Sequence, residues 1–495
     1  MNSDKRKTLV NKLSSALCLS LLIFGGGTPT FLRAETASPI PILQIKAQQT
    51  ASTATKQAVG RKPNVLIMMA DDLGYGDVSC LARHVVPTPN IDRLAKAGVK
   101  FTEGYVTSPL CAPSRAGFLS GRYNETFGVQ DNGLNGMPKD VRIFPEIFSQ
   151  AGYKTGLLGK WHPGENKPGL RPFDRGFQEF YGYYSPVTKY NPPHSLWRND
   201  KLVPEKEYST DAFAREAEDF IERHKNEPFY LNVAFNAPHI QGVIKGAKLI
   251  EADYDRACAE GKILDVPKIR TARPGEAAKL QSQFPGDTAR ADTVATIIAL
   301  DQAVGRILDK LEQTGLAKNT IIFFLSDNGG HPENRSENLP LYQYKWSVYE
   351  GGFRVPFFAV YPGVFPAGLT YNQPVMSFDI LPTCAALAGV PVPTNLDGVN
   401  LVPYLKAENP EAPHEILCWR IDDRWAIRKG PWKLLSNEPG EIRLYSMADD
   451  FEEKHDVASA HPEVVAELQR VWQDWNSHLP PALKRTPQNK QKDSE

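Results

Sequence analysis

VLIMMADD, residues 65–72, runs an unbroken apolar stretch straight into two aspartates. A short apolar run without polar alternation marks a strand buried on both faces, the situation of a parallel sheet covered by helices. The same texture returns in YKTGLLG (153–159), FYLNVAF (229–235), IIFFL (321–325) and FFAV (357–360). Helix-like segments lie between these runs. In TPNIDRLAKAG, Thr88 can cap, Pro89 opens and Gly98 closes a helix. TVATIIALDQAVGRILDKLEQTG carries Val294, Ile297, Ile298, Val304, Leu308 and Leu311 at helical spacing. The alternation predicts an α/β fold.

The flanks differ from this body. Lys5, Arg6, Lys7 and Lys12 precede LSSALCLSLLIF (13–24), which is too short to span a bilayer and reads as a signal-peptide core. Residues 1–34 are therefore expected to be a signal peptide. The mature protein is expected to be exported, periplasmic or extracellular, without stable membrane insertion. Residues 1–34 hold five basic side chains and one acidic one, so their removal leaves 52 basic and 56 acidic residues, a formal charge of −4. That balance excludes an electrostatic footprint for nucleic acid. Residues 35–62 are rich in Ala, Thr and Gln without periodicity and read as a flexible linker.

The main domain is expected over 63–411. From 412 to 480 the short segments ILCWR, RWAIRKG, WKLLS and IRLYS predict a small antiparallel sheet. A final helix follows, with Val464, Leu468, Val471, Trp475 and Leu479 on the face that packs against it. Residues 481–495 read as a disordered tail. The chain has six cysteines and no CxxC pair, which argues against structural zinc. Cys80, Cys258, Cys384 and Cys418 are available for pairing in an order the sequence does not fix.

Ligands of open α/β sheets bind beyond the carboxyl ends of the strands. Asp71-Asp72 follows the first strand, Lys160-Trp161-His162 the second, Asn236-Ala237-Pro238-His239 the third and Ser326-Asp327-Asn328-Gly329-Gly330 the fourth. Alone, an Asp pair is a cap or a turn, and Asp-Asn-Gly a tight turn. Together they bring three carboxylates and an amide oxygen to one sheet edge. Like charges resist shared burial unless a cation relieves them, and an all-oxygen set suits Ca²⁺ or Mg²⁺. Lys160, Lys345 and Arg115 add a ring of positive charge, which fits a tetrahedral oxyanion substrate, sulfate or phosphate. His162 and His239 are candidates for proton transfer.

CAPSRAGFLSGRY, residues 111–123, begins a helix with Pro113 in its first turn and ends it at Gly121. Cys111 thus stands at the positive end of a helix dipole near Arg115, where a thiolate nucleophile, a metal ligand or a small buried side chain would each fit. Cys111-Ala112-Pro113-Ser114-Arg115, continuing through Leu119-Ser120-Gly121-Arg122, resembles the C-x-P-S-R motif of sulfatases. GYKTGLLGKWH (152–162) is similar to the family's second motif. Asp71-Asp72, Ala237-Pro238-His239, Asp327-Asn328-Gly329 and Lys345 before Glu350-Gly351-Gly352 follow in the family's order. The resemblance covers about residues 63 to 475. Two departures are Pro163 after His162 and Ile240-Gln241-Gly242 after His239, and both bear on pocket shape.

The resemblance implies a large central mixed, mostly parallel sheet flanked by helices, as in the alkaline phosphatase superfamily, with a catalytic domain over 63–411. It implies that a maturation enzyme oxidises Cys111 to formylglycine, whose hydrated aldehyde is the nucleophile in sulfate ester hydrolysis. By motif, Asp71, Asp72, Asp327 and Asn328 would bind Ca²⁺ together with residue 111. Arg115 and His162 would position and activate the diol, Lys160 and Lys345 would grip sulfate oxygens, and His239 would protonate the leaving oxygen. The expected substrate is a sulfated carbohydrate, with synthetic aryl sulfates also cleaved. The rivals are a phosphonate or phosphodiester hydrolase of the same superfamily and a non-catalytic binder of sulfated glycans. Specificity is expected in loops 183–200, 240–290 and 329–335, where His194, Trp197, His331 and Arg335 are candidate sugar contacts.

Overall fold

The computed structural model describes residues 61–483, apart from 83–85, 134–135, 241–270 and 439. The expected signal peptide, nearly all of the linker, Cys258, most of the 240–290 insertion and the tail beyond 483 lie outside the described residues. In chain order the strands of the main body are β1 (Asn64–Asp71), β2 (Val99–Phe101), β3 (Gly104–Tyr105), β4 (Lys154–Lys160), β5 (Glu179–Tyr183) and β6 (His194–Arg198). They continue with β7 (Lys201–Glu205), β8 (Phe229–Pro238), β9 (Thr320–Ser326), β10 (Phe357–Val360), β11 (Leu369–Tyr371) and β12 (Val375–Met376).

One ten-stranded sheet runs in the order β11-β2-β10-β9-β1-β8-β4-β5-β6-β7, and β3 pairs with β12. The central strands β9, β1, β8, β4 and β5 are parallel. The edges bring antiparallel pairs, β10 with β9 and β2 on one side and the β6–β7 hairpin beside β5 on the other. The sheet is mixed and mostly parallel, as the sequence leads one to expect. Part of the segment read as a loop, 183–200, is instead strand β6. It turns into β7 through Asn199-Asp200, with Asn199 at φ 52°, a left-handed value that asparagine tolerates in tight hairpins.

Every residue of β1 is buried. Val65, Ile67 and Met69 join a core with Phe118, Phe144 and Ile380. Leu66, Met68 and Ala70 face the opposite core, with Phe213, Phe220, Ile297 and Leu300. Alternate side chains of one strand thus feed two helix layers, each fully buried side chain contributing roughly 1.5–3 kcal/mol. Helices Cys111–Ser120, Phe144–Gln150 and Ile380–Ala388 cover the first face, and Ser209–Arg223 and Thr288–Gln313 the second. The helix read from TPNIDRLAKAG spans Pro89–Ala97 and closes at Gly98, but Thr88 makes no side-chain cap. Its hydroxyl oxygen instead accepts the Ser79 N–H at 2.9 Å.

The C-terminal part is a four-stranded antiparallel sheet, β13 (Ile416–Ile421), β14 (Arg424–Lys429), β15 (Trp432–Ser436) and β16 (Arg443–Ser446), covered by helix Pro462–Ser477. Trp425 stacks on Trp472 at 4.4 Å, and Leu468 completes the small core. Leu479, expected on the same helical face, falls beyond the helix end. This sheet is tied to the main body by Trp419 stacked on Phe353 at 4.2 Å. A buried ionic group adds to the tie: Lys433 Nζ lies 2.8 Å from Glu350 Oε1 and 2.6 Å from Glu453 Oε1, and Tyr105 donates to Glu350 Oε2 at 2.8 Å. Cys80, Cys111, Cys384 and Cys418 are all free thiols. Among the described residues no helix is long and apolar enough to cross a membrane.

Candidate active site

The parallel strands end on one edge, and that edge gathers the polar residues. Asp71 closes β1, Lys160 closes β4 and His239 follows β8, while Asp327 and Asn328 follow β9. Helix Cys111–Ser120 points its first residue at the same place, with Gly121 in the left-handed conformation (φ 69°) ending it. All of the sequence-predicted residues Asp71, Asp72, Cys111, Arg115, Lys160, His162, His239, Asp327, Asn328 and Lys345 are buried.

Their contacts join them into one cluster. Lys160 Nζ lies 2.8 Å from Asp71 Oδ2, and Lys345 Nζ lies 2.7 Å from Asp72 Oδ1. Arg115 clasps Asp327 Oδ2 through Nε at 2.9 Å and a terminal nitrogen at 2.8 Å, the latter also 3.8 Å from Asp71 Oδ1. The Cys111 sulfur stands 3.6 Å from Asp71 Oδ1, 3.9 Å from Asp72 Oδ1 and 3.1 Å from Lys345 Nζ. His239 Nε2 is 3.5 Å from Asp72 Oδ2. His162 joins from the other side, its Nε2 3.2 Å from the Asn132 carbonyl and its Nδ1 buried without a partner among the described residues. Asp72, His162 and Trp346 hold left-handed φ values of 63°, 73° and 75°. Such strain costs roughly 1–3 kcal/mol per residue and gathers at functional sites.

Burial works to raise the Asp71 pKa, but Lys160, His239, Arg115 and Lys345 hold the carboxyl far below the usual range. Burial, with Asp71 beside it, pushes Asp327 up to about 6 despite Arg115. Burial first, then Lys160 and Arg115, keeps His162 well below the ordinary imidazole value, and burial also lowers His239 against the pull of Asp72. Cys111 is pushed upward by burial despite Lys160 and Lys345, so the helix dipole does not make this residue a thiolate. Of the sequence alternatives for Cys111, the activated thiol is the one this environment opposes.

The cluster offers a group of donors that could hold a metal ion. Asp71, Asp72, Cys111 and His239 each offer a ligand atom, all within 4.8 Å of one another. Asn328 donates to Asp72 Oδ1 at 2.7 Å and leaves its own Oδ1 buried with no hydrogen-bond partner among the described residues. A buried amide oxygen without a donor beside two carboxylates is where a cation relieves the desolvation cost. Asp327 is more engaged than the sequence suggested, accepting from Arg115 and from the Asp72 N–H.

Three groups in or beside the cluster carry no sequence motif. Asn132 receives the Ala112 N–H on its side-chain oxygen at 3.0 Å and sets the His162 ring with its carbonyl. Tyr183, paired with Lys160 across β4 and β5, buries a hydroxyl that has no hydrogen-bond partner among the described residues, in the field of Asp71 and Arg115. Trp346 follows Lys345 and anchors its own N–H on the Pro109 carbonyl at 3.0 Å. Of the proposed sugar contacts, Arg335 is paired with Asp287, and Trp197 packs on Tyr184 at 5.3 Å. His331 stays at the cluster. The side chain of His194 is not among those described.

The sulfatase family model matches residues 63–390, and the model of the N-sulphoglucosamine sulphohydrolase C-terminal region matches 341–476. The chain belongs to the sulfatase family. As a sulfatase it is a sulfuric ester hydrolase, built on the fold its relatives share. It is 28% identical to the uncharacterized sulfatase YdeN of Escherichia coli K12, over 99% of this chain and 98% of that protein. It is 30% identical to human N-acetylgalactosamine-6-sulfatase, over 69% of this chain and 66% of that enzyme. The crystal structure of Ps i-CgsB in complex with k-i-k-neocarrahexaose superposes with a TM-score of 0.76 at 32% identity, covering 88% of this sulfatase and 98% of that chain.

Proposed function

We propose that this sulfatase removes sulfate from a carbohydrate, using formylglycine formed from Cys111 and one bound Ca²⁺. The observation that carries the reading is the convergence of Asp71, Asp72 and Lys345 on the Cys111 sulfur. The carbohydrate is supported by two relatives, one named for N-acetylgalactosamine 6-sulfate hydrolysis and one solved with a neocarrahexaose.

Asp71, Asp72, Asp327 and Asn328 would hold the ion, beside residue 111. When bound, the ion supplies a Lewis acid for a sulfate oxygen, and the hydrated aldehyde at 111 supplies the attacking hydroxyl. Lys160 and Lys345 then bind the remaining sulfate oxygens and offset charge that grows in the transition state. In the neutral His162 ring the proton sits on Nε2, facing the Asn132 carbonyl, so Nδ1 is the atom that accepts a proton. Arg115 holds Asp327 and Asp71 in place for that exchange. His239 donates its Nδ1–H to the Ile240 carbonyl at 2.9 Å, so Nε2 of the neutral ring is bare and would take up a proton, with Asp72 Oδ2 3.5 Å away to favour the charged ring, before passing it to the leaving oxygen.

The test joins chemistry and mass. Protein purified from its own host should show the loss expected for exchange of a thiol for an aldehyde oxygen in the peptide containing residue 111. It should hydrolyse 4-nitrophenyl sulfate far better than the matched aryl phosphonate, and release sulfate from N-acetylgalactosamine 6-sulfate or k-i-k-neocarrahexaose. Unmodified cysteine in an active preparation would overturn the nucleophile. A preference for the phosphonate would move the reading to the rival hydrolase.

A further inference from the structure

His331 presents a ring nitrogen beside the Lys345 segment that no group among the described residues engages. The ring is 6% exposed and lies in the segment between β9 and Lys345. Its Nδ1 accepts the Glu333 N–H at 3.0 Å, so that nitrogen carries no proton and the neutral ring holds its proton on Nε2. Among the described residues Nε2 has no hydrogen-bond partner. The ring plane is fixed by Trp346, packed edge-on at 5.1 Å and 86°. The backbone around it is pinned as well: Lys345 N–H reaches the Gly330 carbonyl at 3.1 Å, Asn338 Oδ1 takes the Gly330 N–H at 2.8 Å, and Ser336 N–H reaches the His331 carbonyl at 3.3 Å.

The surroundings also determine what this donor is for. Burial, then Lys345, push the His331 pKa down to about 3 against the pull of Asp72, with His239 adding to the push. The Glu333 N–H on Nδ1 fixes the neutral tautomer, and burial acts in the same direction. Lys160 and Lys345 already supply donors for the sulfate oxygens, which leaves this further donor for an oxygen elsewhere on the ester. A neutral, rigid donor suits a neutral acceptor, an oxygen of the alcohol part of the ester.

We propose that His331 donates from Nε2 to a hydroxyl oxygen of the sugar that bears the sulfate, and so sets the preference for carbohydrate over aryl esters. The inference rests on the carbohydrate reading above. It makes His331 a specificity-determining residue, whose bond an aryl sulfate without hydroxyls cannot form.

The experiment compares kcat/KM for the wild type, His331→Ala and His331→Gln. The probes are 4-nitrophenyl sulfate and whichever of N-acetylgalactosamine 6-sulfate and k-i-k-neocarrahexaose the wild type cleaves faster. Removing one neutral hydrogen bond should cost His331→Ala roughly ten- to a hundredfold on the sugar and less than about threefold on the aryl ester. His331→Gln keeps a neutral N–H and should recover most of the loss. The aryl reaction also reports whether each variant is folded. Equal losses on both substrates would overturn the inference and leave the carbohydrate reading intact. A wild type that cleaves the aryl ester but neither sugar would overturn the carbohydrate reading, and the inference with it.

Discussion

Lys345 Nζ stands 3.1 Å from the Cys111 sulfur and 2.7 Å from Asp72 Oδ1, so one ammonium serves both the head of a helix and the end of a strand. Lys345→Ala leaves Asp72 beside Asp71 with a cation removed and takes a donor from the sulfate. We expect kcat on 4-nitrophenyl sulfate to fall by about 10²–10³. Lys345→Arg should not restore it, since the forked guanidinium does not occupy the space of a point charge. A loss below tenfold, with the melting temperature unchanged, would take Lys345 out of the machinery.

Chelation should act on stability as well as on activity. With EGTA the carboxylates and the Asn328 Oδ1 would lose the proposed cation, and the melting temperature should drop and return with Ca²⁺. An ion present at a hundred times its Kd adds about 2.7 kcal/mol. Asn328→Ala should raise the Ca²⁺ concentration needed for the same recovery. Recovery by Mg²⁺ but not Ca²⁺ would identify the wrong ion in our proposal.

Glu125 gives a pH dependence away from the site. Its carboxyl is fully buried, and burial outweighs the nearby backbone N–H groups and Arg420 to raise its pKa to about 8. The folded pKa lies above the unfolded value of 4.5, so the native state holds a proton that the unfolded chain releases. Its contribution is fully present below pH 4.5 and is lost as pH rises toward 8, by up to about 1.4 kcal/mol per unit. Glu125→Gln should therefore melt higher than wild type at pH 8, match it at pH 4, and show a flatter profile between. Parallel profiles for the two proteins would show that Glu125 is already ionised in the fold.

Gly329 is pressed against a second glycine. A Cβ at position 329 would lie 1.7 Å from the Gly351 carbonyl oxygen, and the Gly329 N–H donates to the Gly352 carbonyl at 2.9 Å. Backbone on backbone cannot give way, so Gly329→Ala must move Asn328 or the segment carrying Lys345. We expect loss of most activity with a lower melting temperature. A variant active within about threefold of wild type would mean this contact is slack.

Much of the site was legible because its residues sit at strand ends, and VLIMMA, FYLNVAF and IIFFL announce those strands by being apolar throughout. The helix at CAPSR was legible from Pro113 and Gly121. What escaped depends on pairing across the sheet rather than on local pattern. Tyr183 arrives because β5 lies in register beside β4, a relation that no spacing along the chain encodes. Asn132 comes from an irregular segment and works partly through its backbone carbonyl, which has no residue signature. β6 was hidden because it is only five residues long, with Leu196 and Trp197 too few to announce a strand beside the prolines and polar residues around them. Arg335 looked free for a ligand only because its partner Asp287 is distant in sequence.

Glu350 lies five residues after Lys345, and its carboxylate is neutralised in part by Lys433, which also meets Glu453. A chain cut at 411 would take Lys433 from Glu350, leaving it only Arg354 at 3.2 Å and the Tyr105 hydroxyl, and the loss of one partner of a buried ion group is destabilising. The boundary that composition suggests is therefore not a seam along which sulfatases can be recombined. A transplanted C-terminal half would have to bring a lysine and a glutamate matched to the recipient's own Glu350, so the two halves of such a chimera must be chosen as a pair.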